Sequence, residues 1–244
     1  MRIDFEKVQA IFVRNWPLFW HGIKITCLFA LVGTFFGFLI GLLLGGFGSI
    51  KVRSTDTLFI KGMKKALLGL IRFYIWVFRG TPMMVQAIFL YYLFRPVLHW
   101  NSFTASLIII SINTGAYMAE IVRSGIQAVD PGQLEACQSI GLSFPDSLFY
   151  VILPQAIRNS FPSIGNQLIV NIKDSSMLNV LSVTELFFQT SSIAGSNYRY
   201  IETYLISAVI YLVLTTAAGA LLNALEKRIN TDGKKSAMLM EYSS

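Results

Sequence analysis

The stretch Glu135–Pro154, EACQSIGLSFPDSLFYVILP, is a polar interruption in a chain otherwise built for lipid. Residues 133–140 suit a helix of about two turns. Asp130-Pro131-Gly132 supplies its start signal and Gly141 its stop. Glu135, close to the positive N-terminal end, complements the helix dipole. After a gap, an apolar run closes on Leu153-Pro154. A connection with its own helix, stop and apolar face is expected to dock onto something.

Composition explains why this stretch stands out. Hydrophobic residues make up 54% of the 244 and charged ones only 14%, which describes an integral membrane protein. The net charge of +7 is placed by topology. Lys51, Arg53, Lys61, Lys64, Lys65 and Arg72 crowd one segment between apolar runs, and Lys227, Arg228, Lys234 and Lys235 occupy the tail. That is the loop bias of the positive-inside rule, and no basic groove with interleaved aromatics points to nucleic acid. Cys27 and Cys137 lack metal-ligand spacing and read as small apolar residues, with neither a disulfide nor a metal site expected. The first apolar run is too long for the core of a cleaved signal peptide.

Five membrane spans are expected, over residues 25–47, 73–94, about 103–119, 163–188 and 203–225. The first and last carry no charge and are long enough for a hydrocarbon core of about 30 Å. Five spans put the termini on opposite sides. The basic segment 51–72, the interlude and the tail 226–244 then share the cytoplasmic face, with the N-terminus outside. Arg2, Lys7 and Arg14 oppose this bias, accompanied by Asp4 and Glu6. No linker or internal repeat divides the chain, so residues 1–244 form one domain with a core at roughly 15–225. Gly33, Gly37, Gly41 and Gly45 recur every four residues along one face of the first span. Such a stripe lets another backbone approach, either as static packing or as a moving contact.

Polar residues inside the spans are the other signal. Ser163, Asn166, Gln167, Asn171, Asp174 and Ser175 recur at three- and four-residue steps, a stripe on one helical side. Asn166, Gln167, Asn171 and, in the third span, Asn113 are candidate pathway residues. Hydrogen bonding between helices is the alternative for each. Lys173 and Asp174 are adjacent and point different ways, so each is expected to find its own partner, for structure or gating. Glu120 and Arg123 read as a pair near a helix end, and Arg79 as a gate contact or structural ion pair.

At this point the motifs combine. Glu135, Ala136, Gly141, Val151, Leu153 and Pro154 keep the spacing E-A-A-x-x-x-G-x9-I-x-L-P, with Cys137 at the second Ala and Val151 at the Ile. This resembles the cytoplasmic loop of ABC importer permeases. Phe78-Arg79-Gly80-Thr81-Pro82, the run AYMAEIVRSGI at 116–126, Pro154-Gln155-Ala156-Ile157-Arg158 and Lys173-Asp174-Ser175-Ser176-Met177 resemble the polar amino-acid uptake branch. The resemblance implies an all-α, type I ABC importer permease in a bacterial plasma (inner) membrane. It further implies that a coupling loop at about 130–155 seats its helix in a separate ATP-binding subunit, through Glu135, Ala136, Gly141, Leu153 and Pro154. ATP and Mg2+ would be bound by that partner; this chain has no G-x-x-x-x-G-K-[ST] loop, no catalytic residue and no cofactor of its own. A second permease subunit, identical or paralogous, and an external solute-binding protein are the other implied partners.

Relatives often carry N-E-F-I where this chain has Asn166-Gln167-Leu168-Ile169. An amide in place of a carboxylate removes a bias toward cationic side chains, favouring a neutral or acidic amino acid. The rival class is an ATP-independent secondary transporter or channel, which would commonly show inverted repeats. Residues 48–72 read as an amphipathic segment on anionic lipid, with Leu58, Phe59, Met63, Leu67 and Leu70 at helical spacing.

Overall fold

A computed structural model describes residues 4–50, 54 and 56–241, with side chains as far as Arg228. Arg2, Lys51 and Arg53, and the side chains of Lys234 and Lys235, lie outside the described residues. Every regular element among those described is helical: α1 (Phe5–Gly48), α2 (Leu58–Gly80), α3 (Met83–Leu98), α4 (Ser102–Gln127), α5 (Pro131–Ser139), α6 (Phe144–Asp146), α7 (Leu153–Asp174), α8 (Leu186–Asn197) and α9 (Tyr200–Glu241). A π-helical turn, Ser147–Ile152, joins α6 to α7, and a 3-10 segment, Ser175–Leu181, follows α7.

The first expected span is only the second half of α1. Asp4 caps the helix by accepting a hydrogen bond from the Lys7 amide at 3.2 Å, so winding starts far ahead of the uncharged run. Trp16 and Trp20 stack at 5.9 Å and remain exposed on this extension. Amphipathic rings of this kind favour the membrane–water interface.

Residues 73–94 do not form one straight span. α2 stops at Gly80, α3 starts at Met83, and the two axes bend by 116°. Pro82 drives Thr81 into extended backbone and lacks an amide to continue the ladder. The freed acceptors are met by one side chain: the Gln86 amide donates to the carbonyls of Phe78 and Thr81, both at 2.9 Å.

Residues 163–188 are also broken. Ser175 and Ser176 hydroxyls donate to the carbonyls of Ile172 (2.9 Å) and Lys173 (2.7 Å), tightening the chain into the 3-10 segment. It ends at Ser182 in the left-handed region (φ 58°), and Glu185 then caps α8.

Among the described residues, α1, α4 and α9 are each apolar and long enough to cross a membrane. The bent α2–α3 pair makes a fourth if taken as one span. α7 has the length, 22 residues, but too many polar side chains to count by hydropathy. The chain is an all-helical membrane protein.

α4 is the central post. The glycines of α1 lie on its Ile110, Thr114, Met118 and Val122, which also recur every four residues. Phe29, Ile109, Ile110, Leu178 and Leu181 make one core where α1, α4 and the 3-10 segment meet. Phe19, Leu186, Ile193 and Ile206 make another around α8.

Candidate functional site

The interlude forms a small structure of its own. Pro131 opens α5, where a missing amide costs nothing, and the Asp130 carboxylate accepts from the Gly132 amide at 2.7 Å. The helix ends on Gly141, whose φ of +83° is the left-handed closing conformation that glycine adopts freely. Leu142 N donates to the Cys137 carbonyl at 3.0 Å, completing the stop. Cys137 is the one buried residue of α5, whereas Glu135, Ala136 and Ile140 are exposed. Underneath, Val129, Leu148, Ile152 and Ala156 form a core with Leu134 and Phe144 packed on it. α5 therefore projects a mixed polar and apolar face from a fixed base.

Pro154 does not end the apolar run but lies inside a helix continuing from Phe144 to Asp174. A proline ring collides with the carbonyl four residues back, here that of Tyr150. Widening the preceding turn to π geometry relieves this, and Leu153 N accordingly donates to Leu148 O. Leu153 is buried against the core and Pro154 exposed. α6, the π turn and α7 thus run on as one continuous helical rod from the interlude.

Arg79, Glu120 and Arg123 come together. Both Glu120 oxygens accept from Arg123 at 3.0 Å, and Arg79 Nη1 reaches the same carboxylate at 3.1 Å. The Arg79 guanidinium also lies over the Tyr117 ring at 5.6 Å. The triad ties the bent end of α2 to α4. Arg123 sits about one turn, and Glu120 about two turns, before the end of α4 at Gln127.

The candidate pathway residues separate into two sets. Asn171 is buried and donates to Thr34 on α1 at 2.8 Å; its oxygen accepts from Thr114 on α4 at 3.0 Å and from Gln167 at 3.3 Å. Asn113 donates to Gln86 at 2.8 Å, behind the α2–α3 bend. Asn171 and Asn113 thus join helices, and Gln167 is buried beside Asn171 and supports it from within α7. Asn166 instead faces outward on α7 in an exposed line with Asn159, Ser163 and Lys173, at steps of four, three and seven residues. Among the described residues no hydrogen bond or ion pair reaches the side chains of Lys173 or Asp174, contrary to the expectation of separate partners.

Glu185 escaped the sequence reading. Its side chain is fully buried and accepts from the amides of Phe187 (2.8 Å) and Phe188 (2.6 Å) and from the Tyr211 hydroxyl (3.2 Å). Its environment is a helix N-terminus, which accepts a carboxylate readily. The missed signal was Thr184-Glu185 ahead of an apolar run, a cap placed inside what looked like an uninterrupted span.

Residues 37–231 match the family described as binding-protein-dependent transport system inner membrane component. The probable amino-acid permease protein YxeN of Bacillus subtilis (strain 168) is 35% identical over 232 residues, 93% of this chain and 96% of that protein. The glutamine transport system permease protein GlnP of Escherichia coli (strain K12) is 36% identical over 219 residues, 87% of this chain and 93% of that one. A crystal structure of an amino acid ABC transporter with histidines superposes with a TM-score of 0.78 at 36% identity, over 93% of this chain and all of that one. The inward-facing MetNI methionine ABC transporter, 18% identical with a TM-score of 0.73, shares the fold. The chain belongs to the binding-protein-dependent inner-membrane permeases, as the amino-acid permease component of an ABC importer.

Proposed function

We propose that this permease passes a neutral polar amino acid along the exposed face of α7, against a second permease subunit, driven by a separate ATP-binding subunit that grips α5. The observation that carries the reading is the outward line Asn159, Ser163, Asn166 and Lys173 on a helix rooted in the interlude. Polar and charged side chains at membrane depth face protein or a water-filled cavity rather than lipid. A second subunit opposite α7 supplies the other wall.

In this scheme Asn166 meets the substrate, Lys173 supplies a cation for its carboxylate, and Gln167, Asn171 and Asn113 hold the wall straight from behind. Arg79, Glu120 and Arg123 fix α2 to α4 as the rod moves. Glu135, Ala136, Gly141, Leu153 and Pro154 form the coupling element, ATP and Mg2+ belong to the partner, and a solute-binding protein delivers substrate from the outer face, where the N-terminus lies. Gln167 in place of a carboxylate and the glutamine-transport name of one relative both support a neutral substrate.

ATP-driven uptake into proteoliposomes by the purified complex tests the scheme. Glu135→Arg, on the exposed face of α5, should abolish uptake and weaken retention of the ATPase. Unchanged uptake and assembly would remove α5 from the coupling path. Rapid arginine import, lost in Gln167→Ala, would overturn the substrate assignment.

A further inference from the structure

Between the end of α1, the middle of α2, the end of α4 and the interlude lies a cavity of about 780 Å3. That is within the roughly 300–1,000 Å3 of small-molecule sites and far more than a free phosphate fills. Leu44, Leu68, Ile71 and Ile75 make one apolar wall, and Leu148 and Ile152 of the π turn make the opposite one.

The charged groups at this cavity are Arg72, Arg123, Glu120 and Asp130. Both carboxylates are committed, Glu120 to the two arginines and Asp130 to the cap of α5. Arg72 has no hydrogen bond or ion pair among the described residues. The site therefore presents one uncommitted guanidinium beside a long apolar wall, suited to a ligand with an anionic head and a hydrocarbon chain.

The helix supplying Arg72 has the matching outer surface. Leu58, Phe59, Met63 and Leu70 of α2 are 89, 80, 58 and 68% exposed, with Lys61, Lys64 and Lys65 between them. An amphipathic helix of this composition lies in the headgroup layer and gathers anionic lipid.

We propose that the cavity binds one anionic phospholipid, its phosphate on Arg72 and an acyl chain along Leu68, Ile71 and Ile75. Because its far wall is the π turn, an occupied cavity braces the rod between α5 and α7 and makes coupling depend on lipid charge.

The intact transporter, delipidated in detergent, is titrated with dioleoylphosphatidylglycerol and separately with dioleoylphosphatidylcholine, with bound lipid read by native mass spectrometry. The first lipid per chain should favour phosphatidylglycerol by about fivefold. Arg72→Gln should erase the preference by removing the cation. Gly48→Leu should erase it by filling space, since a Cβ there meets only Ile71, at 4.0 Å. Lys24→Gln, on exposed α1 surface, should retain it. Equal binding of the two lipids by the wild type would overturn the proposal. So would a preference that survives either Arg72→Gln or Gly48→Leu in an assembled transporter. Displacement of the bound lipid by millimolar glycerol 3-phosphate would mark a soluble-anion site instead.

Discussion

Single glycines set how closely α1 approaches α4. A Cβ on Gly33 would meet Ile110 at 3.0 Å, one on Gly37 would meet Thr114 at 2.5 Å, and one on Gly45 would meet Val122 at 2.9 Å. Two four-residue ridges in register leave no slack, the condition for ridges-into-grooves packing. Gly37→Leu should therefore destabilise the transporter by about 1–3 kcal/mol, the usual cost of overpacking. Gly46→Ala, where a Cβ meets nothing within 4 Å, should melt like the wild type. Equal melting of both variants in detergent would show that the stripe does not set the spacing. Asn171 is a second such residue, because one amide serves Thr34, Thr114 and Gln167 at once. Asn171→Leu strands those groups, yet interhelical hydrogen bonds in membranes average only about 0.6 kcal/mol, reaching about 2. A double-mutant cycle with Thr34→Val, read by thermal unfolding, should return a coupling in that range. No coupling would leave the observed bond without energetic weight.

At the scale of elements, the breaks decide how the chain works. Pro154 both forces the π turn and fixes the rotation of α7 relative to α5. Pro154→Ala restores an amide that can bond to the Tyr150 carbonyl, letting the turn relax to α geometry. One residue of register rotates the upstream helix by about 100°. ATPase activity of the assembled complex should persist while amino acid imported per ATP hydrolysed falls severalfold. An unchanged ratio would dismiss the π turn as a coupling device. This scale also shows where sequence reading stops. The interlude was legible because Asp130, Pro131 and Gly141 act locally: a cap, a first-turn proline and a left-handed glycine need no tertiary partner. The α2–α3 bend had its proline in plain view, but hydropathy runs smoothly across Pro82. What makes the corner affordable is Gln86, a residue that only the fold brings to two carbonyls. The break after Asp174 was hidden for a similar reason. Ser175 and Ser176 sit comfortably in membrane helices too, and Glu185 becomes a buried cap only once Tyr211 and the start of α8 surround it.

For the whole molecule, the question is which surfaces meet lipid and which meet water or protein. On α1, Leu31, Phe35, Phe36 and Leu43 are 50–60% exposed, and on α9 Leu212 and Val213 are 65 and 61% exposed; these are faces lipid can solvate. The outward line of α7 is different in kind, since Asn159, Ser163, Asn166 and Lys173 would each lose hydrogen bonds to water if they faced hydrocarbon. The same helix turns Gln167 and Asn171 inward, so the stripe read from sequence is really two faces, one buried and one exposed. Spacing alone merged them, because residues three and four apart share a broad sector and only the neighbouring helices α1, α4 and α9 define which edge is covered. Cysteine labelling of the assembled transporter in membranes separates wet from oily surfaces. With Cys27 and Cys137 replaced by serine or alanine, Asn166→Cys should react readily with a membrane-impermeant maleimide when the complex opens. Leu212→Cys on α9 should stay unreactive, because a thiol in lipid is neither hydrated nor ionised. Transported amino acid should slow the first reaction and leave the second alone. Equal, slow labelling at both positions would mean that α7 does not border a water-filled route, and the pathway would have to be sought on another face of the bundle.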